Sequence, residues 1–260
     1  DYRTLGQIRK EFGSHPAPTK IFSTVDSKAQ AFFERAMKDK SSTIYKATLA
    51  GRRFHTALET GVAKDEMTKK VMNHFANHIL PDIDEVWGME MGLYHPAGYT
   101  GKFDGVGIFR GKKTMWDYKK SNKRKTKSGM KKWLMQCVAY TDAHDFMYDS
   151  GIEQVAILNV YGKTPEDLGH EVTILNTEDI AKSRSEFLDY LSQYKDKVEN
   201  VSSLPSWFSF TWIWITSETQ GGIKEFRQET RTNTPPPLGR GNHFTTTSPK
   251  TNHGRIWTDR

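Results

Sequence analysis

Apolar residues recur at helical spacing through the first third of the chain and at strand spacing through its middle. Ala31, Phe32 and Met37 fall near one face of a segment from Ser27 to Lys38, which predicts a helix there. A second helix is predicted over Ser42 to Thr60. A third runs from about Lys64 to Leu80, where Met67, Val71, Phe75 and Ile79 should face the core and Pro81 marks the end. Residues 1–24 are polar, carry Pro16 and Pro18 as breakers, and read as an irregular N-terminal arm.

Past Pro81 the period shortens. Asp84 to Tyr94, Tyr99 to Phe109 and Lys113 to Lys119 read as a meander of strands, with turns at Pro96-Ala97-Gly98 and Arg110-Gly111-Lys112-Lys113. Ser128 to Tyr148 then predicts a long helix, with Met130, Leu134, Val138 and Phe146 facing inward and Thr126 or Ser128 as cap. Ile152 to Tyr161 and His170 to Leu175 read as strands separated by a turn at Gly162 to Asp167. An amphipathic helix over Thr177 to Tyr194 closes the pattern through Ile180, Phe187 and Leu191. This order predicts one α/β or α+β core. After Asn200 the character changes. Residues 201–219 form an aromatic-rich extension that suits a strand or a partner-binding arm. Residues 220–260 read as a polar, flexible tail with Pro235-Pro236-Pro237. His243 and His253 lie in that tail, where a linker role is the simpler reading.

Composition narrows the classes. A chain of 260 residues with 36% hydrophobic content can bury one sizeable core. Its formal net charge of +7 favours a polyanionic partner, a weak signal alone. Cys137 is the single cysteine, which rules out an internal disulfide and any zinc or iron–sulfur site needing several cysteines from this chain. No run has the length of a membrane span, and no signal-peptide pattern opens the chain.

Candidate chemistry concentrates around residues 101–120. Asp117 and Lys119 are two apart and share one face of an extended strand. If the preceding strand pairs with theirs as a hairpin, Asp104 comes close to Asp117. Two carboxylates and an ammonium at one point are costly unless they bind a metal or do chemistry. A charged, solvated hairpin is the plainer alternative. Glu90, in the strand before, would add a third carboxylate, and His55 on the second helix one imidazole. Asp104, Asp117, the Tyr118 carbonyl and His55 would suit Mg²⁺ or Mn²⁺. Lys119 would orient water or stabilise charge, and would act as a base only with a lowered pKa. His55 and Glu59 share a helix face, and Gly51 on that helix would permit close approach of another element.

A basic run follows: Lys120, Lys123, Arg124, Lys125, Lys127, Lys131 and Lys132, with no acidic residue among them. Such a run is often a solvated face, but beside carboxylates it also suits phosphate binding, with Arg52 and Arg53 adding contacts near His55. Trp133 and Tyr118 suit base stacking or core packing equally. Gln136 and Tyr140 are four apart on the long helix and could both face the centre. Cys137 reads as a small core residue.

Taken together, Gly51, His55, Leu58 and Glu59, then Glu90, Asp104 in a Gly-x-x-Asp setting, Asp117-x-Lys119 and Gln136-x-x-x-Tyr140 resemble the PD-(D/E)XK nuclease superfamily. Within it they are most similar to the RecB-like branch, with its mitochondrial and phage exonucleases. The resemblance spans about Ser42 to Leu191. It implies a restriction-endonuclease-like α/β fold over residues 25–200, a central mixed sheet flanked by helices, and an arch of N-terminal helices. It implies a Mg²⁺- or Mn²⁺-dependent deoxyribonuclease. His55, Asp104, Asp117 and the Tyr118 carbonyl would bind the ion, Lys119 would assist water attack, and Glu90, Gln136 and Tyr140 would support. The expected partner is DNA, single-stranded with a free end, in replication, repair or recombination. No membrane association is expected. An endonuclease, a silent nucleic-acid-binding protein and an RNA substrate stay open as alternatives. The expected setting is a bacterial or phage-infected cytoplasm, or a mitochondrion if a targeting segment has been removed.

Overall fold

The computed structural model describes residues 2–202. The expectations for residues 203–260, which cover most of the aromatic-rich extension and the whole polar tail, lie outside the described residues.

Among the described residues, seven strands and seven α-helices make an α/β fold with a central mixed sheet flanked by helices. The five-stranded sheet is built from β1 (Ile83–Met89), β4 (Gly105–Phe109), β5 (Lys112–Ser121), β6 (Gln154–Tyr161) and β7 (Gly169–Leu175), in the order β1-β4-β5-β6-β7. Only β5 and β6 run parallel, joined over the sheet by α6 (Lys131–Tyr148); the other neighbours are antiparallel. β6 is buried along nearly its whole length. That explains its unbroken apolar run, since a strand covered on both faces has no reason to alternate.

Two apolar cores lie on opposite faces. Met115, Val155 and Ile157 meet α6 and α7 (Thr177–Ser202) through Val138, Phe187 and Leu191. Trp116, Tyr118, Leu158 and Val160 meet α4 (Thr43–Thr60) and α5 (Glu66–His78) through Phe54, Val71 and Phe75. Along β5, therefore, Trp116 and Tyr118 point one way and Met115, Asp117 and Lys119 the other. The predicted helices at 42–60, 64–80 and 177–194 all form. Ser42 caps α4 by accepting from Tyr45 N–H at 3.0 Å, and Asp65 caps α5 by accepting from Thr68 N–H at 2.9 Å.

Four expectations need correction. The N-terminal arm is not irregular. It holds α1 (Leu5–Phe12), opened by a Thr4–Gln7 capping box, and α2 (Pro18–Val25), where Pro18 occupies the first turn and starts the helix it was expected to prevent. Ile8, Ile21 and Phe22 from these helices are buried. Second, α3 (Ser27–Lys38) has the expected bounds but buries no residue; Phe32 is 59% exposed. Third, the long helix begins at Lys131 after a short 3₁₀ turn. Thr126 accepts from Gly129 N–H at 3.1 Å within that turn, Ser128 caps nothing, and Phe146 faces outward. Fourth, the first two expected strands are each broken in the middle. β2 (Gly92–His95) and β3 (Tyr99–Lys102) form a separate hairpin packed on α6 and α1. Among the described residues no helix is long and apolar enough to cross a membrane.

Candidate active site

The broken strands build the site. β1 pairs with β4 up to Met89 opposite Gly105, and β2 pairs with β3 from Gly92 opposite Lys102. Between these ladders Glu90 and Met91 face Asp104 and Phe103, with Glu90 N–H donating to the Asp104 carbonyl at 3.3 Å and Phe103 N–H to that of Met91 at 3.1 Å. Glu90 takes a left-handed backbone (φ 54°), uncommon for a non-glycine residue. The double break frees both carboxylates from the regular alternation and aims them at one point. Trp116 on β5 lies opposite Gly105, so Asp104 arrives beside Asp117 and Tyr118. The Tyr118 N–H donates to Asp104 Oδ2 at 2.8 Å and fixes that carboxylate.

From the other side α4 brings His55. Its neighbour Phe54 is buried against Phe75, and this anchors the helix so that His55 reaches past the sheet. His55 Nδ1 lies 3.6 Å from Asp104 Oδ2 and 3.9 Å from Glu90 Oε1. One donor atom from each of His55, Glu90 and Asp104 falls within 4.8 Å of the others, spacing that could hold a metal ion. Asp117 sits deeper, 1% exposed. Its carboxylate receives no well-formed hydrogen bond from the protein, and the Lys119 ammonium lies against Oδ2.

Charge states follow from these contacts. Burial raises the Asp104 carboxyl well above the carboxylate range, and the nearby Asp117 raises it further. Burial alone would lower His55, but the nearby Glu90 carboxylate and the charge of Asp104 turn the net shift upward. Glu90 shows the mirror image: burial favours the neutral acid, while His55 and Lys102 together hold it below its usual value. Lys119 is opposed by burial, yet Asp117 and Asp104 outweigh that and raise it, so the ammonium is firmly protonated. A raised pKa is the opposite of what a lysine base requires.

A cleft of about 1380 Å³ opens over this centre. α2, α3 and α4 form one wall; the end of β5, the following loop and the start of α6 form the other. His55, Glu90, Asp104, Lys119 and Gln136 all reach it, as do Arg52, Lys120, Lys123, Lys125 and Lys132. Gln136 Nε2 donates to the Tyr140 hydroxyl at 3.2 Å, and Tyr140 is buried behind it. A side chain at Gly101 would collide with the Tyr140 ring, its Cβ only 2.2 Å away. Gly51 lines the cleft with nothing within 4 Å of where a Cβ would stand, so it widens the channel and does not serve the expected close packing of another element.

Other expectations divide. Tyr118 stacks edge-on against Phe75 in the core, with centroids 5.4 Å apart, and cannot receive a base; it enters the site through its backbone. Trp133 lines the cleft, with the ammoniums of Lys119 and Lys125 each 5.9 Å from its ring centroid. Arg53 points away from the cleft and pairs with Asp65 at 3.3 Å. Arg124, Lys127 and Lys131 pair with Glu171, Asp179 and Glu186, acids far off in sequence. Lys132 pairs with Asp26 at the cleft wall. Cys137 is buried and accepted as core. Lys102, ion-paired with Glu90 in the cleft, was not singled out from the sequence, although its place two residues before Asp104 was a usable signal.

An α/β fold whose broken strands bring Glu90 and Asp104 to a helix-borne histidine, beside an Asp-x-Lys strand, has the pattern expected of the RecB-like exonucleases. The chain resembles two curated exonucleases. It is 27% identical over 225 residues to mitochondrial genome maintenance exonuclease 1 of mouse, covering 76% of this chain and 64% of that protein. It is 26% identical over 211 residues to the human protein of the same name, covering 71% of this chain and 59% of that one. The match thus spans less than two thirds of either relative's length. No family model matches the chain. Among solved structures, an alkaline exonuclease from Laribacter hongkongensis superimposes with a TM-score of 0.33 at 15% identity, over 65% of this chain and 90% of that one. A phage-related exonuclease from Haemophilus somnus does so with a TM-score of 0.32 at 12% identity, over 73% and 98%.

Proposed function

We propose that this chain is a divalent-cation-dependent DNA exonuclease that hydrolyses phosphodiester bonds at the free ends of single strands, in DNA replication, repair or recombination. The observation that carries the reading is the grouping of His55, Glu90 and Asp104 at the floor of a basic cleft, with the buried Asp117 carboxylate, whose oxygens lack a hydrogen bond, close to Asp104. A buried carboxylate is ordinarily satisfied, and its oxygens are the kind of donor a hard cation takes. The donor set, carboxylates with one imidazole, fits Mg²⁺ or Mn²⁺. His55, Glu90, Asp104 and Asp117 would hold the ion, with the Tyr118 carbonyl as a further ligand. Such a cation, when bound, supplies positive charge where a phosphoryl oxygen becomes more negative.

The chain's own residues do the rest. Lys119, kept protonated by Asp117, presents an ammonium that stabilises the negative charge developing on the phosphate. Glu90 is kept ionised by His55 and Lys102. Gln136, held by Tyr140, offers an amide to substrate or water. Lys120, Lys123 and Lys125 give the cleft a phosphate-binding wall, with Arg52 facing them from α4. The single-strand preference is supported by Phe33 and Trp133, which line the same cleft among those cations and offer ring faces for stacking. A cleft walled by α2, α3 and α4 suits a strand threaded from its end.

The test uses linear and circular single-stranded DNA, with Mg²⁺ or Mn²⁺ and with chelator. Metal-dependent loss of the linear strand alone, absent in Lys119→Ala, is expected. Cutting of the circle would replace this reading with an endonuclease. Binding without hydrolysis under either cation would overturn the enzymatic reading.

A further inference from the structure

A second group of metal-binding side chains stands apart from the cleft. His74 and His78 are four residues apart on α5 and so share a helix face. His170, near the start of edge strand β7, is paired with Val160 of β6 and so points to the face that α5 covers. The three imidazoles meet: ring centroids are 4.5 Å apart for His74 and His78, 5.3 Å for His74 and His170, and 5.1 Å for the nearly parallel rings of His78 and His170. None of the three lines the cleft over Asp104 and Asp117. The catalytic reading leaves them without a role.

The key distance is between His74 Nε2 and His170 Nδ1, which share a hydrogen bond at 3.2 Å. Two nitrogens on one tetrahedral zinc, each about 2.0–2.1 Å from the ion, stand roughly 3.3 Å apart. The pair is therefore already at ligand separation. A helical i, i+4 histidine pair can share one ion, as it does in zinc-binding helices, and His78 completes the set by turning its side chain toward the other two. An all-imidazole set selects borderline ions such as Zn²⁺, Cu²⁺ or Ni²⁺ over Mg²⁺, the reverse of the carboxylate centre.

We propose that His74, His78 and His170 form a binding site for a borderline transition-metal ion, Zn²⁺ foremost, that clips helix α5 to edge strand β7. Three protein nitrogens leave the fourth position to solvent. The clip adds stability to the pairing of helix and edge strand by mass action, because the unfolded chain does not hold the three rings together.

The experiment titrates Co²⁺ into the full chain carrying Asp104→Asn, which weakens the carboxylate centre as a competitor, and reads the visible absorption of tetrahedral cobalt. One equivalent should bind and be displaced by Zn²⁺. His74→Ala and His170→Ala should each weaken binding by about tenfold or more, since even outer partners of ligands are worth that much. His243→Ala with His253→Ala, run alongside, should leave it unchanged. The proposal is overturned if affinity survives both His74→Ala and His170→Ala, or is lost with the tail variant. Circular dichroism checks folding, and His74→Gln with His170→Gln replace any alanine variant that fails it. Zn²⁺ should also raise the Tm of the parent and not that of His74→Ala; an equal rise in both would count against the site.

Discussion

His144 and Asp117 are both buried ionisable residues, 0% and 1% exposed, but their surroundings treat them differently. His144 sits in a chain of hydrogen bonds with every link made. The Tyr2 hydroxyl lies 3.0 Å from Nε2, Nδ1 lies 2.7 Å from Ser150 Oγ, and Ser150 donates to Asp145 Oδ1 at 2.6 Å. Because Ser150 gives its proton to Asp145, it accepts from His144 Nδ1–H, and Nε2 accepts from Tyr2. The neutral imidazole is thus satisfied at both nitrogens. Asp117 has one ammonium and no well-formed hydrogen bond, with another carboxylate beside it. The first arrangement fastens the N-terminus to the end of α6. The second has no such closure, and the proposed cation is what would complete it.

The contrast breaks most sharply on Asp104→Asn. The amide keeps an acceptor for the Tyr118 N–H and removes the charge that crowds Asp117, while Lys119 keeps its partner. Hydrolysis should fall by roughly 10³-fold, the scale on which a lost electrostatic element acts at a transition state. Stability without divalent cation should hold or rise, because repulsion between buried carboxylates is relieved. Thermal melting with and without Mn²⁺ checks the pairing: a large loss of stability in the variant would mean that Asp104 is a structural acid like Asp145.

His144→Ala should do the opposite. It strands the Tyr2 and Ser150 hydroxyls in the interior and should cost about 2–3 kcal/mol, with hydrolysis retained below the melting transition. Acid sharpens this. Burial holds the folded His144 pKa down to about 4 against an ordinary 6.5, with Asp145 only partly opposing. Between those values the unfolded chain carries more protons, so stability rises with pH. As pH falls from about 6.5 to about 4 the parent should lose up to about 3 kcal/mol from this group, and no more below that. Urea melts across that window should show the slope flattened in His144→Gln.

How far the sequence foretold these regions differs for a physical reason. Asp117 and Lys119 were legible because strand alternation puts them on one side whatever the register. The helices at 42–60 and 177–194 were legible from periodicity. The breaks at Glu90 and Asp104 were not: local propensity favours continuous strands, and the left-handed turn at Glu90 is imposed by tertiary contacts. Helix α3 shows the converse, with an apolar pattern that implied burial and a Phe33 that faces the cleft. The His144 relay joins Tyr2 to Ser150 across 142 and more positions, so no local spacing could announce it. The N-terminal helices were missed because Pro18 was read as a stop when it was a start.

The smallest effect separates two lysines that the sequence presents as equals. Lys125 and Lys127 are two positions apart in one basic run. Lys125 lines the cleft, its ammonium near the Trp133 ring, whereas Lys127 is held by both oxygens of Asp179 at 2.8 and 2.9 Å and lies outside it. A cation already paired releases no counterion when a phosphate passes; a cation facing the strand does. Lys125→Ala should therefore weaken single-stranded DNA binding and reduce the slope of log K against log salt by about 0.7. Lys127→Ala should leave that slope unchanged and alter stability by about 0–1 kcal/mol, as an exposed ion pair does. Equal slopes for the two variants would show that the basic run acts as a diffuse charged surface, and that the cleft does not choose among its members.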